Sequence, residues 1–182
     1  MIKHRLSCLL LISVIAAGVA CTEKAKAPDV KANIEQALNQ AGLKDVSVSQ
    51  DRDKGVVTLG GTVASDDDKA RAASIAQPIA ASEVVANEIA VRPVGDESNA
   101  RTISSDLDKA IDKNVDAKLV QMHLQHAVRH DVKNGVVTLK GEVTSQSRRE
   151  MVEKTVAGVP NVKQVVNELE VKNQKATSTQ GG

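Results

Sequence analysis

Hydrophobic and polar positions change their period several times along the chain, and then repeat the whole series. Val30, Ile34, Leu38 and Ala41 recur at helical spacing and stop at Gly42, a residue suited to a helix C-terminus. Val46 and Val48 alternate with polar residues, and a polar turn ending in Gly55 leads into a second strand. There Val57, Leu59, Gly61 and Val63 share one face, while Val56, Thr58, Gly60 and Thr62 share the other, so one side is expected to be buried and the other largely wet. Ser65 is a candidate helix N-cap, Ala72, Ile75, Ala76 and Ile79 make a helical stripe, and Val85, Asn87, Ile89 and Val91 alternate as a last strand.

Shifting the chain against itself by 80 residues lays Gly55-Val56-Val57-Thr58-Leu59 on Gly135-Val136-Val137-Thr138-Leu139. The register continues without a gap through Gly61/Gly141, Ser65/Ser145, Asn87/Asn167 and Val91/Val171. The first helix of the second copy is read from Leu107, Ile111, Val115 and Leu119, and its second helix from Val152, Thr155, Val156 and Val159. Two copies of a helix-strand-strand-helix-strand module follow. A module of about 65 residues has a marginal core, so docking between the copies is expected to add stability. Gly61 and Gly141 fall on the side read as buried, where a close backbone approach would call for glycine. Asn87 and Asn167 are expected to tie the last strand to a neighbouring loop. Residues 93–103 read as a linker and 173–182 as a disordered tail.

The N-terminus is read as an export leader over residues 1–20, with Lys3 and Arg5 before an apolar stretch too short to span a bilayer. Without the leader, Cys21 is the single cysteine left and no internal disulfide can form. Gly18-Val19-Ala20-Cys21 resembles a bacterial lipobox, which implies lipid attachment at Cys21 and a tether over 21–28. Gly18 departs from the branched residue usual there, and ordinary signal cleavage would cut the same bond. Thr22 after the cysteine, by the same resemblance, favours the outer membrane over the inner one.

The chain has no Phe, Trp or Tyr, and 24 basic side chains face 23 acidic ones. That removes stacking platforms for single-stranded nucleic acid and the basic footprint for duplexes. The run Gly-Val-Val-Thr-Leu-x-Gly-x-Val, then a helix, then Val-Val-x-Asn-Glu-x-x-Val at 84–91 with its counterpart Val165 to Val171 in copy two, resembles the BON domain of bacterial envelope proteins. Copy two adds Gly158-Val159-Pro160-Asn161-Val162, whose glycine copy one lacks. The resemblance implies an α+β fold of two tandem BON modules, over 29–92 and 104–172. Each would be αββαβ, with two helices packed on one face of a three-stranded sheet. It also implies a periplasmic lipoprotein without catalytic residues or cofactors, whose roles are phospholipid binding, envelope integrity or chaperone-like stress protection. Its partners would be membrane phospholipids and envelope proteins.

Chemistry-bearing clusters are few. No nucleophile elbow, phosphate-cradling glycine loop or His-Glu-x-x-His is present. His123, His126 and His130 lack a neighbouring carboxylate at recognisable ligand spacing, and no metal site is expected. Asp66, Asp67 and Asp68 suit the start of a helix better than a calcium loop. In copy two, Arg148 and Arg149 take the slots of Asp68 and Lys69, setting cations where the helix dipole disfavours them. With Lys140 on the adjoining strand, they form a candidate site for an anionic lipid headgroup.

Overall fold

The computed structural model describes residues 26–172; the leader, Cys21 and the segment from 173 onward lie outside those residues. The first module comprises α1 (Lys31–Gln40), β1 (Val46–Asp51), β2 (Val56–Val63), α2 (Asp66–Ala80), β3 (Val84–Asn87) and β4 (Ala90–Val91). The second repeats the order with α3 (Glu97–Gln121), β5 (Val128–Lys133), β6 (Val136–Val143), α4 (Gln146–Ala157), β7 (Gln164–Asn167) and β8 (Glu170–Val171). In each sheet the central strand pairs antiparallel with the strand before it and parallel with those after α2 or α4.

The last strand of each module is broken rather than continuous. Val56 pairs with Val84 and Thr62 with Ala90, so β3 and β4 run along β2 in one register with an interruption at Glu88 and Ile89. Asn87 holds that interruption: its Nδ2 donates to the Lys69 carbonyl at 3.0 Å and its Oδ1 accepts from Ile89 N at 3.4 Å. Asn167 does the same with the Arg149 carbonyl and Leu169 N. The tie expected of these asparagines therefore runs to a helix, α2 or α4, rather than to a loop.

Helix boundaries follow their local chemistry. Ser65 accepts from Asp68 N and Ser145 from Arg148 N, both at 3.2 Å, so both serines cap as expected. Leu43 N reaches the Leu38 carbonyl at 2.9 Å across Gly42 at φ +81°, closing α1; Leu124 N reaches Leu119 at 2.8 Å across His123 at φ +55°. That pairing sets Leu38 against Leu119, and one helical turn earlier Ile34 against Val115. Leu107 thus lies a turn beyond the shared helix, and it is 43% exposed. The segment 97–103, read as linker, is the opening of α3. It contains no Gly or Pro, and its Ser, Asn and Arg side chains are tolerated on an exposed helix.

Each module has its own core. Ile34, Leu38, Val57, Leu59 and Ile89 are at most 1% exposed in the first, and Ile111, Val115, Leu119, Val137 and Leu139 match that in the second. Gly61 itself is exposed rather than buried, but the reason for glycine holds. It has φ +90°, and a Cβ there would sit 2.0 Å from the Asp45 carbonyl oxygen; at Gly141 the clash is with Ala127 O at 2.1 Å.

The face expected to be wet is partly covered. Val56, Ala86, Val136 and Val166 form a third apolar cluster, at most 6% exposed, where the two sheets meet by their helix-free faces. Val56 and Val136 are the same position of the repeat, as are Ala86 and Val166, so the contact is nearly two-fold symmetric. Polar bonds frame it: Gln164 Nε2 donates to Val85 O at 2.7 Å, its Oε1 accepts from Asn87 N at 3.1 Å, and Asn134 Nδ2 donates to Glu88 O at 2.7 Å. Lys133 pairs with Glu88 at 3.0 Å, and Lys54 with Glu170.

Candidate functional site

The three cations singled out from the sequence do not share a partner. Arg148 donates to the Met122 carbonyl at 3.2 Å, which stitches α4 to the end of α3. Arg149 donates to the Asn167 carbonyl at 2.9 Å, on the other side of α4 near the break in the last strand. Lys140 stands on β6 and approaches Asp131 at 3.4 Å. The single cradle expected of Lys140, Arg148 and Arg149 is therefore not assembled. Residues 148 and 149 are adjacent on a helix, about 100° apart, and each guanidinium finds a different carbonyl.

Lys140 belongs to another arrangement. Asn134 and Gly135, at φ +50° and +82°, make a two-residue hairpin turn, and its register sets Arg129 directly opposite Lys140. Both residues are exposed, and the Arg129 guanidinium has no ion-pair or hydrogen-bond partner among the described residues. Like charges opposite one another on a sheet face repel, and an anion between them removes that penalty. The pair borders a concavity of about 800 Å³ that His126, Lys54 and Lys172 also line. Two of its cations are neutralised: Glu170 holds the Lys54 ammonium above its ordinary pKa through a hydrogen bond, and Glu142, 2.5 Å away, does the same for Lys172. Arg129 was missed at the sequence level, although the Asn-Gly turn fixes its register against Lys140.

The histidines do not converge. His123 terminates α3, His126 borders the concavity, and His130 lies on the inner face of β5 with its side chain 7% exposed. It occupies the slot of Val48 in the first module, because Val48 pairs with Leu59 and His130 with Leu139. Its Nε2 is 2.9 Å from Asp112 and its Nδ1 3.9 Å from Asp116, both on α3. Carboxylates thus do reach a histidine, supplied by the facing helix rather than by neighbours in sequence. Among the described residues, Asp112, Asp116 and His130 are the group whose donors lie close enough together to hold a metal ion.

Residues 27–93 and 102–173 each match the BON domain. The chain belongs to the BON-domain family. It is 28% identical over 146 residues to the osmotically-inducible protein Y of Escherichia coli K12, an alignment spanning 79% of this chain and 71% of that protein. Two solved structures of CdsD, a structural protein of the type III secretion system of Chlamydia trachomatis, also align. Identity is 14% in both, with TM-scores of 0.32 for the C-terminal domain and 0.33 for the other. They cover 77% and 78% of this chain, which spans 63% and 61% of theirs. No helix among the described residues is long and apolar enough to cross a membrane.

Proposed function

We propose that the protein is a non-enzymatic lipoprotein of the bacterial periplasm, anchored through Cys21 to the outer membrane. There its second BON module binds anionic phospholipid and supports envelope integrity. The observation that carries this reading is the exposed Arg129–Lys140 pair, two like charges held opposite each other with one guanidinium unpartnered. A phosphodiester headgroup is a planar-compatible acceptor for arginine and a point-charge acceptor for lysine. Without aromatic residues such contact stays at headgroup depth and weakens with salt. The lipid at Cys21 would supply the persistent attachment.

Flotation of the leader-free protein with phosphatidylglycerol vesicles tests it. Binding is expected at low salt, absent on phosphatidylcholine, and lost in Arg129→Glu/Lys140→Glu. Unchanged flotation of that variant removes the pair from the proposal. Arg148→Glu/Arg149→Glu tests the separate contribution of α4. Mass spectrometry of the mature N-terminus reads lipid attachment at Cys21 directly.

A second reading is favoured by similarity to the osmotically-inducible protein Y: a periplasmic stress protein that binds unfolded clients. Among the described residues, the outer strands β1 and β5 offer unpaired edges for such pairing. Suppression of client aggregation by protein that does not float with vesicles would select this reading over the first.

A further inference from the structure

The two ends of the seam between the modules are built from equivalent residues and differ in character. At one end Arg149, Lys54 and Glu170 line a polar recess that the Lys54–Glu170 pair spans. At the other, their counterparts are Lys69, Asn134 and Ala90, and the opening turns of α3 add a wall that α1 lacks. The result is a cavity of about 460 Å³ whose apolar lining includes Ile103, Leu107, Ile89 and Val162. Ile103 is 60% exposed, so α3 leaves a large aliphatic side chain at the mouth that no described residue covers.

Two lysines from different modules line the same space. Lys69 projects from the first turns of α2, and the stem of Lys163 passes over Gly135, where an added Cβ would lie 3.0 Å from Lys163 Cγ. Neither ammonium has an ion-pair or hydrogen-bond partner among the described residues. The nearby acids are held by neutral donors rather than by the lysines: Asp108 accepts from Asn134 N at 2.8 Å and Gly135 N at 2.9 Å, and Asp96 accepts from Asn99 at 2.6 Å. Burial, and then the charge of Lys163, hold the Lys69 ammonium below its ordinary pKa against the weaker opposing pull of Asp66 and Asp108. The cavity thus combines an aliphatic trough with two ammonium groups that form no direct ion pair among the described residues, Asp66 and Asp108 acting on Lys69 only at longer range, and its size lies in the range of about 300–1,000 Å³ that small molecules occupy.

We propose that this seam cavity binds a single-chain anionic amphiphile, its carboxylate between Lys69 and Lys163 and its alkyl chain along Ile103 and Leu107. This goes beyond phospholipid contact at Arg129 and Lys140, since it takes a monomer from solution and requires no bilayer. The absence of Phe, Trp and Tyr gives the protein no fluorescence of its own, so cis-parinaric acid reports occupancy without background. Titration of the purified protein is expected to give one saturable site, from which laurate displaces the probe. Dodecan-1-ol, with the same chain and no charge, should need about tenfold more. Lys69→Glu/Lys163→Glu should weaken probe binding by at least about tenfold, and so should Ile103→Ser/Leu107→Ser, at positions exposed enough to leave the fold intact. Arg129→Glu/Lys140→Glu should leave it unchanged while abolishing vesicle flotation, which separates the two sites. No saturable signal, equal displacement by laurate and dodecan-1-ol, or full binding by either groove variant overturns the proposal.

Discussion

Gln164 of the second module donates to the carbonyl of Val85 in the first at 2.7 Å, and the same amide accepts from Asn87 N at 3.1 Å. One side chain therefore stands in for a strand partner along β3. Gln164→Ala leaves both backbone groups at the seam without that partner and should cost about 1–3 kcal/mol. Urea denaturation reads the loss, and hydrogen exchange should show the Asn87 amide losing protection while the core of α4 keeps it.

Gly61 and Gly42 separate two reasons for glycine. Both have positive φ, but a Cβ at Gly61 would meet the Asp45 carbonyl at 2.0 Å, whereas nothing lies within 4 Å at Gly42. Gly42→Ala should cost about 1–2 kcal/mol, the backbone penalty alone. Gly61→Ala adds a collision between β2 and the entry to β1 and should cost about 3 kcal/mol or more, read from the midpoints of parallel urea titrations.

Arg129→Ala should move stability and binding in opposite directions. Removing one of two like charges facing each other on β5 and β6 relieves repulsion of about 0.2–1 kcal/mol. The melting temperature should hold or rise slightly while affinity for phosphatidylglycerol vesicles falls. A parallel fall in both would mean that Arg129 serves the fold.

Lys69 gives a pH signature. Its folded-state pKa lies below the usual 10.5 because burial, then Lys163, disfavours the charge. Between that lowered value and 10.5 the unfolded chain binds more protons than the folded one, so this group's contribution makes stability rise with pH. Below that lowered value the ammonium is charged in both states and the folded one bears the penalty. Lys69→Met should therefore be more stable than the parent at pH 7, with the difference shrinking toward pH 10.5 in paired thermal melts.

Much of the fold can be read along the chain because its side chains alternate faithfully. Val57, Leu59, Val137 and Leu139 face the cores that their period assigns, and Ser65 and Ser145 cap the helices they precede. The seam is less legible. Val56 and Val136 look like ordinary outward strand residues, and only the approach of a second sheet buries them. Residues 97–103 look like linker because their composition is polar, and helix formation there answers to backbone propensity rather than to an apolar face. The cations of α4 failed to converge for a related reason. Sequence places Arg148 and Arg149 together, but the carbonyls of Met122 and Asn167, far along the chain, draw them apart.

Because Val56 with Ala86 meets Val136 with Val166, the protein carries a homodimer's interface inside one polypeptide. Four small aliphatic side chains would hold two free subunits together only weakly. Joining them end to end makes their encounter intramolecular, so the paired state persists under dilution. It also frees the two ends of the joint to diverge, one keeping Lys54 against Glu170 while the other opens a cavity.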